Sequence, residues 1–221
     1  MAKSPTREKI IEAAYVRFYK FGYNGTSVQD IVDVVGVQKG TFYNYFKSKE
    51  RLALEALKYY ACIADQVFVP PDPSEVTTAS GKNSPSDIER IRNQFIQASR
   101  FQEGPNGSLG CLMGNFAAES DTLPGSFRKL INQSFKRWDA SIAAWLTRAQ
   151  KKGEIDQSHD PEELARYLMA SWQGALLLMK NSKSRVPIDD FFHFTLHVLV
   201  RADATKTAGS KRKPSRSRKK A

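Results

Sequence analysis

The sequence has few cysteines and no long apolar run, and both absences narrow the kinds of protein that it encodes. Cys62 and Cys111 are the two cysteines among 221 residues, and they form neither a metal-spaced pair nor a disulfide framework. Free thiols indicate a reducing compartment, so we expect a cytoplasmic location. No apolar run is long enough to cross a bilayer, and residues 1–20 lack the apolar core of a signal peptide. We therefore predict that the membrane is not a partner.

Residue combinations that are typical of enzymes are also missing. The chain contains no glycine-rich phosphate loop and no nucleotide-binding fingerprint. His193 and His197 are four residues apart, a spacing that can hold zinc, but no glutamate or third ligand completes the pattern. Exposed helical histidines are the simpler interpretation. We predict no metal site, no cofactor and no catalytic residues.

The positive charge lies at the two ends of the chain. The net charge is +11; residues 1–50 contribute +3, and residues 204–221 carry eight basic side chains without an acidic one. The stretch 51–203 is therefore neutral. This distribution predicts a DNA-binding domain at 1–50, a larger domain with another task at 51–203, and a disordered basic tail at 204–221. The tail either tethers the protein to DNA phosphates or serves only solubility.

Apolar side chains recur at helical spacing along the chain, which predicts an all-α fold of about nine helices. The expected helices span residues 7–21, 28–35, 38–46, 49–68, 87–101, 110–119, 124–152, 161–183 and 188–201. Side chains that can cap a helix precede five of them: Thr6, Ser27, Ser48, Ser86 and Asp160. The proline- and serine-rich stretch 69–86 predicts a mobile loop.

The stretch 26–50 predicts two short helices joined by a tight turn. Ser27 opens a capping box, and Gly36 follows the last periodic residue of the first helix, where a positive φ suits glycine. The expected core residues of the second helix are Phe42, Tyr45 and Phe46. Its other face carries Gln38, Lys39, Thr41, Tyr43 and Asn44. A polar, slightly basic helix held at a fixed angle by another helix suits the major groove of DNA.

This stretch resembles the helix-turn-helix of the TetR family of transcriptional repressors. The residues that carry the resemblance are Thr26-Ser27-Val28, Ile31, Gly36-Val37, Lys39-Gly40-Thr41-Phe42-Tyr43-Asn44-Tyr45-Phe46 and Lys47-Ser48-Lys49-Glu50. The resemblance implies an all-α protein with an N-terminal three-helix DNA-binding domain and a larger helical ligand-binding and dimerisation domain. It also implies a homodimer that binds a palindromic double-stranded DNA operator and is released by a small-molecule effector or a thiol-reactive electrophile. Two alternatives are an architectural DNA-binding protein and a small-molecule enzyme with an accessory DNA-binding head.

Matching to the family motif gives the residues that we expect at the DNA. They are Ser27, Gln38, Lys39, Gly40, Thr41, Tyr43, Asn44 and Lys49. The amides of Gln38 and Asn44 suit an adenine edge, and Lys39 suits guanine or phosphate. Ser27 and Lys49 stand at helix starts, where phosphate is attracted.

A second resemblance lies in the stretch 110–119, Gly-Cys-Leu-Met-Gly-Asn-Phe-Ala-Ala-Glu. It is similar to a stretch in a TetR-family branch that responds to reactive electrophiles and unsaturated carbonyl compounds. There a cysteine begins a helix near the pocket, which here is Cys111, and a helix N-terminus lowers the pKa of a thiol. The same resemblance implies that Lys180 lies nearby. Aromatic candidates for the pocket are Phe116, Trp138 and Trp172, although a plain core is equally compatible with them, and a buried, inert Cys111 remains the alternative.

The last two predicted helices carry many large apolar side chains. The resemblance implies that they pair with their symmetry mates as a four-helix bundle, whereas the alternative is a hairpin buried within a monomer. The predicted helix 49–68 connects the DNA-binding domain, which we call the head, to the larger domain at 51–203, which we call the body. The resemblance implies that its movement carries the ligand signal to the head.

Overall fold

The computed structural model describes residues 4–69, 85–103 and 109–194, and every regular element in these ranges is a helix. The helices are α1 (Pro5–Phe21), α2 (Val28–Val35), α3 (Lys39–Tyr45), α4 (Lys49–Phe68), α5 (Asp87–Glu103), α6 (Leu112–Ala118), α7 (Gly125–Lys151), α8 (Pro161–Ser182) and α9 (Val186–Asp190). The all-α class is confirmed. The basic tail, most of the loop predicted at 69–86 and the end of the last predicted helix lie outside the described residues. Within the described ranges, no helix is long and apolar enough to cross a membrane.

Hydrogen bonds at the helix ends confirm most of the predicted caps. The Ser27 hydroxyl accepts from the N–H of Asp30 at 3.1 Å, and the Asp30 carboxylate accepts from the N–H of Ser27 at 2.7 Å. Gly36 ends α2 with a φ of 73°, in the left-handed region that favours glycine. The other caps that accept from the N–H three residues on are Ser48, Ser86 and Asp160.

Helix α1 begins earlier than the sequence pattern indicated. Ser4 precedes Pro5, the first helical residue, so the predicted cap at Thr6 is wrong. Proline is favoured at the first helical position because the N–H that it lacks would have no partner within the helix. The Ser4 hydroxyl caps nothing and lies 3.0 Å from the Tyr45 hydroxyl of α3.

Helices α1, α2 and α3 pack into a small three-helix head. Phe42 and Phe46 are buried as predicted, with ring centres 5.7 Å apart. Tyr45, which we expected in the core, is 38% exposed. Because α3 is only seven residues long, Phe42 and Phe46, the residue that follows the helix, fill its inward side, and Tyr45 lies on the outer side.

Helix α4 connects the head to the body and is buried on more than one side, as predicted. It packs against α1 in the head and against α5 and α7 in the body. Near its end, the Asp65 carboxylate accepts from Trp138 Nε1 at 2.7 Å and from Arg137 Nη2 at 3.0 Å. These bonds fix α4 to α7.

Helices α5, α7 and α8 supply the core of the body. Trp138, Trp145 and Trp172 are its largest fully buried side chains. The fully buried carboxylate of Asp87, at the start of α5, forms ion pairs with Arg148 at 3.0 Å and with Lys152 at 2.8 Å. This cluster attaches the beginning of α5 to the end of α7.

Candidate DNA-binding surface and effector cleft

The outer face of α3 gathers most of the residues that were predicted at the DNA. Gln38, Lys39, Gly40, Tyr43 and Asn44 are exposed, and Thr41 is half-buried. Phe42 and Phe46 anchor the opposite face, so the polar groups share one surface. A Cβ added at Gly40 would meet nothing within 4 Å, which leaves the helix backbone accessible at that point. The arrangement is a short helix that presents amide, amine and hydroxyl groups to a wide groove.

Of the two residues predicted to contact phosphate, Ser27 is exposed, whereas Lys49 is hydrogen-bonded within the head. Ser27 is exposed at the start of α2, where helix N–H groups attract anions. The Lys49 ammonium instead donates to the carbonyl oxygens of Tyr23 and Thr26, at 3.0 Å each, and lies 4.1 Å from the centre of the Tyr23 ring. Burial lowers the pKa of Lys49, and the nearby Glu119 carboxylate opposes this effect. The Lys49 ammonium is therefore occupied within the head.

A cleft between α6 and α8 brings Cys111 and Lys180 together. It encloses about 330 Å³ and is lined mainly by apolar atoms. Its lining includes Cys111, Gly114, Phe135, Gln173, Leu177 and Lys180. The Lys180 ammonium donates to the Asn115 side-chain oxygen at 3.1 Å. Burial and the neighbouring Lys183 lower the pKa of Lys180, whereas Glu119 raises it.

Cys111 occupies the predicted position before α6 but not the predicted electrostatic environment. It is 3% exposed, and burial raises the pKa of its thiol. The Tyr60 hydroxyl donates to Sγ at 3.4 Å, and this bond and the backbone N–H groups of Met113 and Gly114 lower the pKa without cancelling the effect of burial. The expected lowering of the pKa is therefore wrong for this structure, because desolvation outweighs the helix terminus.

Alkylation with iodoacetamide should separate the two thiols. Cys62 is exposed and Cys111 is buried, so at neutral pH we expect Cys111 to react more slowly by at least about tenfold, since the rate follows thiolate fraction and access. Because the pKa of Cys111 lies above its ordinary value of 9.0, its rate should still rise as pH passes 9.0. Peptide mass spectrometry over a pH series measures both rates, with Cys111→Ser as the assignment control. Equal rates at pH 7 would contradict the buried, protonated state.

The aromatic candidates for the pocket do not line the cleft. Phe116 stacks on Phe127, with ring centres 5.7 Å apart, and is fully buried. Trp138 and Trp172 are also core residues; Trp138 packs on Phe68 at 5.3 Å. Aromatic side chains at helical spacing fit a core or a pocket equally well, which is why the sequence left both possibilities open.

Sequence reasoning missed three polar residues around Cys111. They are Tyr60, Asn115 and Gln173. Tyr60 also receives a hydrogen bond from Gln102 Nε2 at 3.3 Å, which places a buried polar chain behind the thiol. Only Asn115, one helical turn after Cys111, carried a local signal; the others come from helices distant in sequence.

Comparisons with known proteins cover nearly the whole chain. Residues 10–56 match the family described as bacterial regulatory proteins, tetR family, and residues 88–194 match the tetracyclin repressor-like C-terminal domain. The HTH-type transcriptional repressor DhaR of Mycobacterium sp. (strain GP1) is 32% identical over 200 residues, covering 90% of this chain and 95% of DhaR. The transcriptional regulator AcuR of Cereibacter sphaeroides is 28% identical over 203 residues, covering 90% and 87%.

Solved structures agree with the sequence matches. A crystal structure of the regulatory protein TetR from Rhodobacter sphaeroides superposes with a TM-score of 0.76 at 26% identity, over 89% of this chain and 100% of that one. The reduced form of E. coli NemR shares the fold, with a TM-score of 0.75 at 23% identity, over 91% and 100% of the two chains. The chain belongs to the TetR family and is a DNA-binding transcriptional repressor that responds to a ligand.

Proposed function

We propose that this repressor binds a two-fold symmetric operator as a homodimer and places α3 of each protomer in a major groove. The observation that carries the proposal is the exposed polar face of α3, held by Phe42 and Phe46 against the capped helix α2. Two heads related by a two-fold axis reach successive major grooves about 34–36 Å apart. The operator of a bacterial repressor lies in the cytoplasm, where we place the protein.

Helix α8 supplies the surface that we assign to the dimer. Tyr167, Leu177 and Leu178 are 51%, 63% and 58% exposed. Tyr167 and Leu178 lie on one side of the helix about three turns apart, and Leu177 lies at the edge of that side. Gly174, between them, is exposed and has nothing within 4 Å of an added Cβ, so it permits close approach of another helix. Exposed apolar stripes of this kind mark association surfaces, and a symmetric dimer buries the same stripe twice.

The cleft between α6 and α8 is the effector site in this proposal. Its apolar walls suit a small, largely apolar molecule, and the Lys180 ammonium suits a carbonyl or anionic group on that molecule. Among the described residues, no carboxylate forms an ion pair with Lys180. The buried thiol of Cys111 favours a noncovalent effector, and an electrophile that reaches Sγ is the second route.

Fluorescence anisotropy with DNA from upstream of the gene tests the repressor function. We expect binding that survives physiological salt and exceeds binding to scrambled DNA by at least about 10³-fold. Equal affinity for both would point to an architectural DNA-binding protein. Adding N-ethylmaleimide to wild-type protein and to Cys111→Ser then separates the two effector routes, since release that is lost in Cys111→Ser requires the thiol.

Single substitutions on α3 should distinguish base reading from phosphate contact. Asn44→Ala and Gln38→Ala are each expected to weaken operator binding by about 1–3 kcal/mol and to relax the preference at one base pair. If Lys39 contacts phosphate, Lys39→Ala should weaken binding to all DNA sequences alike. It should also reduce the slope of log K against the logarithm of salt concentration by about 1. Asn132→Ala, on the exposed surface of α7, is the control and should change neither quantity. Unchanged operator affinity in all three α3 variants would remove this face from the DNA interface.

A further inference from the structure

Helix α6 joins the cleft to the head. It begins after Cys111, in the wall of the cleft, and its C-terminal cap is Glu119. Just before the helix, the Gly110 carbonyl accepts from the buried Tyr19 hydroxyl of α1 at 2.8 Å. Within the helix, Phe116 meets Phe18 of α1 edge to face, with ring centres 5.9 Å apart. The same short helix thus contacts both the cleft and the DNA-binding domain.

The Glu119 carboxylate holds the loop between α1 and α2, which we call the head loop (residues 22–26). One carboxylate oxygen accepts from the backbone N–H of Tyr23 and the other from that of Asn24, at 3.0 Å each. Hydrogen bonds to an ionised acceptor are stronger than neutral ones. The head loop leads directly into Ser27, the cap of α2, so its position sets the position of the helix-turn-helix.

Gly22 provides the space that this contact needs. Its φ is +74°, and a Cβ at this position would lie 2.3 Å from a Glu119 carboxylate oxygen. On the other side of the loop, Lys49 donates to the Tyr23 carbonyl at 3.0 Å. The backbone of Tyr23 is therefore held between an anion at its N–H and a cation at its C=O.

The Glu119 carboxylate interacts electrostatically with Lys49 in the head and with Lys180 in the cleft. Burial lowers the pKa of Lys49 in the head and of Lys180 in the cleft, and Glu119 raises the pKa of each. Thr122 reinforces the contact, since its hydroxyl accepts from the Asn24 side-chain amide at 3.0 Å. A displacement of α6 would change all of these interactions together.

We infer that Glu119 is the positioning residue through which a shift of α6 at the cleft moves the helix-turn-helix. This inference rests on the proposed effector site in the cleft. It adds a direct path from α6 to the head loop, beside the path through α4 that the family resemblance implies. Because the path ends on backbone N–H groups, it requires the Glu119 carboxylate and the absence of a side chain at Gly22.

A double-mutant cycle on the full chain tests this path without a ligand. A Cβ at Gly114 would lie 2.6 Å from the Gln173 side-chain oxygen of α8, in the wall of the cleft, so Gly114→Leu inserts apolar volume between α6 and α8 as an occupant of the cleft would. We expect Gly114→Leu to change the operator Kd by about 2- to 30-fold in otherwise wild-type protein, and by less than about twofold when Glu119→Gln is also present. The inference would be overturned if Gly114→Leu changed the operator Kd by the same factor with and without Glu119→Gln. It would also be overturned if Gly114→Leu alone left the Kd unchanged.

One control and one replacement variant keep the result interpretable. Asp121→Asn removes the same charge from an exposed position two residues away, and should leave the effect of Gly114→Leu intact. Gly114→Ala is a milder substitution for use if the leucine variant fails to fold.

Amide hydrogen exchange at Tyr23 and Asn24, measured in the absence of DNA, reports the hydrogen bonds between these amides and the Glu119 carboxylate. Glu119→Gln and Gly114→Leu should both accelerate exchange at these amides, and unchanged exchange would overturn the inference. If the wild type binds no operator, the proposed function fails, while these exchange rates still decide whether α6 and the head loop are coupled.

Discussion

Replacing Phe42 with alanine should lower the free energy of unfolding by about 3–5 kcal/mol, because the substitution removes a fully buried ring and leaves a cavity. The head is small, so few neighbours can move into the space. Phe42 also packs edge to face on Tyr43 and lies 5.7 Å from Phe46, and both contacts position α3. Operator binding should be lost at temperatures where the body remains folded. Thermal and denaturant unfolding, followed by circular dichroism, measure the change.

Tyr43→Ala is the matched control, since it removes the adjacent ring of the same helix. Tyr43 is 56% exposed, so the cost in stability should stay below about 1 kcal/mol. Operator affinity should nevertheless fall, because Tyr43 lies on the face that we assign to DNA and its hydroxyl can donate to a phosphate oxygen. A large loss of stability in Tyr43→Ala, or a small one in Phe42→Ala, would show that the inward and outward faces of α3 are assigned incorrectly.

Introducing Glu at Leu178 should dissociate the dimer and weaken operator binding by about 10²- to 10⁴-fold, because two linked heads gain affinity from simultaneous engagement of two half-sites. Leu178 is 58% exposed in the single chain, so the charge costs the isolated protomer little. At a symmetric interface the substitution places two carboxylates in apolar surroundings, which is costly. Sedimentation velocity and anisotropy on one- and two-half-site DNA separate the two effects.

Gln133→Glu supplies the control for the dimer experiment. It adds the same charge to an exposed position of α7, away from the apolar stripe of α8, and should leave both assembly and DNA binding unchanged. A Leu178→Glu protein that sediments as a dimer at the same concentration would exclude this stripe as the interface. Tyr167 and Leu178 would then need another explanation for their exposure.

In the proposed mechanism, an effector acts by coupling the cleft to the head, and the structure offers two physical connections between them. Helix α4 packs on α1 and on α7, and Asp65 ties it to Trp138. Helix α6 reaches the head loop through Glu119. The double-mutant cycle at Gly114 and Glu119 measures the part of the second connection that depends on Glu119. The effect that remains in the Glu119→Gln background comes from α4 and from the contacts of Gly110 and Phe116 with α1.

Local chemistry determined the helices and the head from the sequence alone. The capping box at Ser27 and Asp30 and the left-handed turn at Gly36 depend on residues within one turn of each other, so pattern and spacing were sufficient. Phe42 and Phe46 could be assigned to the core because their four-residue spacing places them on one side of α3. Tyr45 could not, because its burial depends on how much of a seven-residue helix the neighbouring helices cover.

Tertiary structure alone decided the properties of the candidate effector site. Cys111 precedes α6 as the sequence indicated, but burial in the packed structure raises the pKa of its thiol, and the hydrogen bonds of Tyr60 and Gln173, which come from two other helices, oppose that effect only in part. The contact between Glu119 and the head loop joins residues 95 and 96 positions apart, and no local pattern marks it. Helix ends and apolar faces follow from neighbours in the chain, whereas desolvation and long-range hydrogen bonds follow from neighbours in space. That difference explains why the sequence determined the DNA-binding head of this protein, and why only the packed structure shows the contacts of α6 with the cleft and of Glu119 with the head loop.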